Sequence, residues 1–125
     1  MRWLIDGMNV IGSRPDGWWR DRGGAMARLV EELDPWAAGE DAVAVVFDGR
    51  PRDAGAPGHV DVAFAPGGRD AADDEIARRV AADPDPASLT VVTSDRELVD
   101  RVRAAGAAVG SSKAFLTRLA DYPRS

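Results

Sequence analysis

The chain has 125 residues, 45% hydrophobic and 30% charged, a balance that fits one globular domain and excludes a disordered or fibrous chain. It has no cysteine and a single histidine, His59, which removes disulfides, zinc–thiolate sites, thiol nucleophiles and His-rich metal sites. Net charge is −5, which argues against a broad basic face for nucleic acid but leaves room for a hard-cation site built from carboxylates.

No apolar run approaches the roughly 18 residues that cross a bilayer, and the N-terminus lacks a basic-then-apolar leader. The expectation is a single domain over 1–125, in the cytoplasm. In chain order, Arg2 to Ile5 reads as the first strand and Gly7 to Gly24 as a long loop. Ala25, Leu29, Val30 and Leu33 recur at helical spacing, in a helix expected to end before or near Pro35. Ala42 to Phe47 is a continuous apolar run, as in a strand buried on both faces, closed by Asp48-Gly49. Pro51 to Gly58 reads as loop, and His59 to Phe64 alternates as a half-exposed edge strand does.

The second half repeats the alternation. A helix is expected from Ala71 to Ala82, stopped by Pro84 and Pro86, then a buried strand from Ser88 to Thr93. Asp95 to Ala105 reads as a helix that Gly106 terminates. Ala107 to Val109 makes a short last strand, and Ser111 or Ser112 caps a helix carrying Phe115, Leu116 and Leu119. Strands alternating with helices give a five-stranded α/β sandwich with a mostly parallel sheet. In such folds functional groups gather beyond the carboxyl ends of the strands, where strand order reverses.

Acids fall at those ends. Asp6 ends the first strand, Asp48 ends the second and Asp95 follows the fourth. Each has a local explanation: Asp48-Gly49 is a turn dipeptide, and Ser94-Asp95-Arg96-Glu97 fits a helix cap. Turn chemistry alone does not require three acids on one rim. In the helix after Ala71, Asp73 points with Ile76, Ala77 and Val80 toward the core, while Asp74 and Glu75 point away. Asp74 is expected to pair with Arg78, a surface contact of about 0.2–0.5 kcal/mol, and Asp70 to cap the helix or reach the same site. Crowded carboxylates raise one another's pKa, and a divalent cation removes that cost. With oxygen donors only, Mg²⁺ or Mn²⁺ is favoured over zinc. Asn9 could orient Asp6 or only shape an Asx-turn, and Ser94 could support Asp95 or only cap a helix.

Four blocks, "IDGMNVIGS", "VVFDG", "AADDEIARRV" and "VVTSDRELVDRVRAAGAAVGSSKAF", resemble the bacterial YacP-like NYN domain proteins, a branch of the PIN-like nuclease superfamily. The resemblance runs from Arg2 to about Leu119. It implies a Rossmann-like three-layer α/β/α sandwich and a metal-dependent endoribonuclease. Its motifs carry over Asp6 and Asn9 in the opening block, Asp48 in the FDG block, Asp73 in the acidic helix and Asp95 in the SD block; the expected catalytic set is then Asp6, Asp48, Asp73 and Asp95, with Asp6, Asp73 and Asp95 as metal ligands, Asp48 orienting them, and Asn9, Ser94 and Asp70 in support. RNA is the implied substrate, with messenger RNA on the ribosome as one setting.

Around that rim, Arg14, Arg20, Arg22, Arg50, Arg52, Arg69 and Arg96 are either candidate phosphate contacts or solvated surface residues. Trp18 and Trp19 could stack on bases, although the simpler role is that one of them covers the first helix. His59 is expected to be an edge-strand residue without chemistry. Two rivals remain: a non-catalytic RNA- or protein-binding module of the same fold, and an aspartyl-phosphate phosphatase or receiver. The second lacks a D-x-D-x-T motif after the first strand and has only Lys113 as a lysine.

Overall fold

The structure, a computed structural model, describes residues 1–122. Five strands, β1 (Arg2–Asp6), β2 (Ala42–Asp48), β3 (Asp61–Ala65), β4 (Leu89–Val92) and β5 (Ala108–Gly110), form one sheet in the order β3-β2-β1-β4-β5. Every pairing is parallel, so the expected "mostly parallel" sheet is wholly so. The five helices are α1 (Gly7–Gly12), α2 (Arg22–Ala37), α3 (Ala71–Ala82), α4 (Arg96–Ala104) and α5 (Ser112–Ala120).

Strand periodicity divides the core into two. Trp3, Ile5, Val43, Val45 and Phe47 pack with buried residues of α1, α2 and α5. Leu4, Val46 and Val91 face the other way, onto Ala72, Ile76 and Val80 of α3 and Leu98 and Val102 of α4. Alternate residues of one strand thus feed opposite layers, which makes the three-layer α/β/α sandwich. The chain leaves β1 for β2 and β3 on one side, then returns to β4 and β5 on the other. The order reverses between β1 and β4, so the carboxyl ends of those two strands flank the switch point.

Several boundaries differ from the expectations. The stretch from Gly7 to Gly24 is not one loop: it holds α1, a 3-10 turn at Trp18–Arg20 and the start of α2. Burial of Val10 and Ile11 holds α1 together despite its six-residue length. At Gly7 a Cβ would collide with the Phe47 ring, which is why this position carries no side chain. Helix α2 runs past Pro35 to Ala37, because Trp36 and Ala37 are buried in the core while Pro35 lies on the exposed side. The edge strand β3 starts two residues after His59, β4 begins at Leu89 behind a 3-10 turn at Pro86–Ser88, and β5 begins at Ala108. His59 is exposed, and its backbone N–H donates to Asp34 at 2.7 Å.

The pairing expected within α3 is also redistributed. Glu75, not Asp74, binds Arg78, and it binds Arg79 as well. Asp74 instead accepts from Arg101 of α4 at 2.9 Å, because α4 packs beside α3 and brings a closer cation.

Candidate active site at the sheet switch point

Asp6 is the last residue of β1 and directly precedes α1, so its carboxyl stands where the sheet ends and a helix begins. It is only 4% exposed. The Thr93 hydroxyl donates to Asp6 Oδ2 at 2.8 Å and accepts the Asp95 backbone N–H at 3.1 Å. One buried hydroxyl therefore ties the ends of β1 and β4 together across the switch point. Burial pushes the Asp6 carboxyl up to about 6, and the charges of Asp48 and Asp95 push the same way; the Thr93 bond and the Asn9 backbone N–H oppose them. Thr93 escapes a motif reading because a β-branched residue at a strand end reads as strand.

Asp95 is the N-cap of α4 rather than its first residue, and its Oδ1 accepts from the Leu98 N–H at 2.9 Å. Ser94 does not cap this helix. Its Oγ accepts from the Ser112 backbone N–H at 2.9 Å, and its own N–H donates to Asn9 Oδ1 at 2.8 Å. Asn9 is a residue of α1, not of an Asx-turn, and its Oδ1 also accepts from Ser112 Oγ at 2.6 Å. Asn9 therefore clamps the β4–α4 and β5–α5 connections to α1. Ser112, one of the two serines expected to cap α5, is fully buried and bonds Asn9 instead; Ser111 is the N-cap of α5.

Asp48 ends β2, and its Oδ1 accepts from the Ala72 N–H at 3.0 Å. It caps α3 from outside the helix. Asp70 occupies the N-cap position of α3 but makes no side-chain cap bond, because Asp48 has taken that donor. The cap fixes the first turn of α3, and with it Asp73, one residue after Ala72. Asp73 is half-buried, and its carboxylate makes no hydrogen bond or ion pair among the described residues. Desolvation, then the charges of Asp6, Asp95, Asp48 and Asp70, push its carboxyl up to about 7. Four aspartates from β1, β2, α3 and the β4–α4 junction thus share one electrostatic neighbourhood.

The donor set is all oxygen and carries mutually repelling charges, which fits a hard divalent cation. Among the described residues no group of three acidic or histidine side chains stands as a ready ligand set. The arginines divide. Arg14 forms a bidentate pair with Glu32 at 2.8 Å and is withdrawn from the rim, and Arg20 lies over the Trp19 ring at 5.8 Å. Arg50 and Arg96 are exposed. Arg22, Arg52 and Arg69 line a cleft of about 520 Å³ that opens on Asp48. Trp18 packs on the core, whereas Trp19 is 60% exposed, so the covering role belongs to Trp18 alone.

The YacP-like NYN domain family model matches residues 3–125. Two crystal structures of Rae1 (YacP) from Bacillus subtilis share the fold. A mutant form gives a TM-score of 0.75 at 23% identity, covering 96% of this chain and 76% of that one. The other gives 0.76 at 22% identity, covering 96% and 74%. No curated protein is similar enough to count as a relative. Among the described residues no helix is long and apolar enough to cross a membrane.

Proposed function

The chain belongs to the YacP-like NYN domain family, whose character is nuclease-type and RNA-related, and from that premise we propose that it is a metal-dependent endoribonuclease. Its substrate is RNA, with messenger RNA in association with the ribosome as the setting that the family resemblance favours. The observation that carries the proposal is the convergence of Asp6, Asp48, Asp73 and Asp95 on the switch point, where Asp6 and Asp73 are held well above the usual carboxylate range. Helix capping accounts for Asp48 and Asp95 one at a time, but not for the unpaired carboxylate of Asp73 beside them.

In this scheme Asp6, Asp73 and Asp95 hold Mg²⁺ or Mn²⁺. When bound, such an ion supplies an activated water and offsets negative charge developing on the scissile phosphate. The protein's own part is positioning. Thr93 sets the spacing of Asp6 and Asp95, Asp48 anchors α3 so that Asp73 faces them, and Asn9 fixes the loops behind. No side chain serves as nucleophile, so the absence of cysteine is immaterial.

The test is incubation of purified protein with single-stranded and structured RNA, with Mn²⁺ or with EDTA. Internal cleavage in Mn²⁺ that EDTA abolishes supports the proposal. Binding without cleavage in either condition overturns it in favour of a non-catalytic binding module.

A further inference from the structure

Six of the described arginines are neutralised. Arg2, Arg14, Arg28, Arg78, Arg79 and Arg101 each pair with a carboxylate. Arg22, Arg52 and Arg69 are exposed and have no such partner among the described residues, yet they line one cleft. In a chain of net charge −5, an uncompensated cluster of cations is the arrangement that mutual repulsion would disperse.

Three separate segments build it. Arg22 is the first residue of α2, Arg52 lies in the loop after β2, and Arg69 lies between β3 and α3. Gly49 and Gly68, at φ of +105° and +110°, turn those loops through conformations that other residues rarely adopt. Arg52 is pressed against the first turn of α2, where a Cβ on Gly23 would stand 3.0 Å from its Nη1. Guanidinium groups at the positive end of a 16-residue helix are disfavoured by its dipole. Asp21 accepts the Gly24 N–H and Asp48 the Ala72 N–H, and neither pairs with a guanidinium. Although Asp48 stands in the same cleft, none of the three guanidiniums forms an ion pair among the described residues.

We propose that this cleft is a phosphate-backbone subsite for single-stranded RNA, which it delivers to the carboxylates across Asp48. Asp48 belongs to both the cleft and the acidic cluster, so a strand seated on the three arginines lies beside the aspartates. Guanidinium forks match phosphate oxygens in pairs. A localised cleft on an acidic protein suits one strand, whereas a duplex would call for a broad basic face. This assignment rests on the nuclease proposal, and its test keeps the two apart.

The experiment measures fluorescence anisotropy of a labelled single-stranded RNA oligonucleotide in EDTA, where no cleavage occurs, at about 50 and about 200 mM salt. Wild type is compared with Arg22→Ala/Arg52→Ala/Arg69→Ala, with Arg52→Gln, and with Arg103→Ala on the exposed side of α4 as a control. Each single-strand phosphate contact contributes about 0.7 to the salt slope, so between those salts wild type should lose about 20-fold more affinity than the triple variant. Arg52→Gln should lower the slope by about 0.7, and Arg103→Ala should leave it unchanged. An unaltered slope in the triple variant and in Arg52→Gln overturns the subsite, even if wild type cleaves RNA in Mn²⁺. Conversely, loss of binding in the triple variant supports the subsite even if wild type never cleaves, an outcome that sinks the nuclease proposal alone.

Discussion

Asp6→Asn isolates the cost of burying one carboxylate at the switch point. Asparagine keeps the size and an oxygen that can accept from Thr93, but it carries no titrating proton. Below about pH 4, Asp6 is protonated in both the folded and unfolded chain, so neither state is penalised. Between pH 4 and 6 the unfolded carboxyl, near 3.8, releases its proton while the folded one, near 6, retains it. Stability therefore falls as pH rises through that window, and the whole penalty is present above it. The difference of roughly two pKa units corresponds to about 3 kcal/mol, little screened because the side chain is almost fully buried. Asp73 acts in the same direction, since the Asp6 charge is one of the causes of its own elevation. Thermal unfolding in EDTA should show Asp6→Asn gaining on wild type by about 3 kcal/mol between pH 3 and pH 8, about 10 °C in Tm for a domain of this size. Saturating Mn²⁺ should raise the wild-type Tm and leave the variant nearly unmoved. A stability difference that is the same at both pH values would refute the buried-charge account.

Three further outcomes follow from neighbouring contacts. Thr93→Val removes a hydroxyl that donates to Asp6 and accepts from Asp95, so it should cost about 1–3 kcal/mol in urea unfolding, while Thr93→Ser restores most of the loss. Asn9→Ala leaves the Ser94 N–H and the Ser112 hydroxyl without their acceptor and should destabilise by a similar amount, with hydrogen exchange faster at Ser94. Gly7→Ala forces a methyl into the Phe47 ring one residue from Asp6 and should cost about 1–3 kcal/mol; a neutral Tm would mean the ring moves freely.

Strand positions were legible because buried parallel strands write continuous apolar runs. Val43 to Phe47 and Leu89 to Val92 could hardly be anything else, and the acids that follow them land at the carboxyl edge as a consequence. Asp73 was legible by helical phase alone. Helix α1 was not, since six residues bracketed by glycines are too short to display a period and are held by packing of Val10 and Ile11. The pairing of Asp74 was missed because the local rule sees Arg78 four residues on and cannot see Arg101 on the adjacent helix. Asp48 reads as a turn residue and a candidate site acid, but its bond to Ala72 joins elements 24 residues apart, a relation that no local pattern encodes. The roles of Thr93 and Ser112 stayed hidden for the same reason: they are defined by partners brought together only in the fold.

The most direct measurement is the rate of Mn²⁺-dependent cleavage of a labelled RNA by wild type, Asp6→Asn, Asp73→Asn and the double variant, each checked for folding. If the aspartates form one catalytic unit, either single change abolishes cleavage and the double variant is no slower than the singles. Full activity retained in either folded single variant would contradict the assignment of the switch-point carboxylates as the active site.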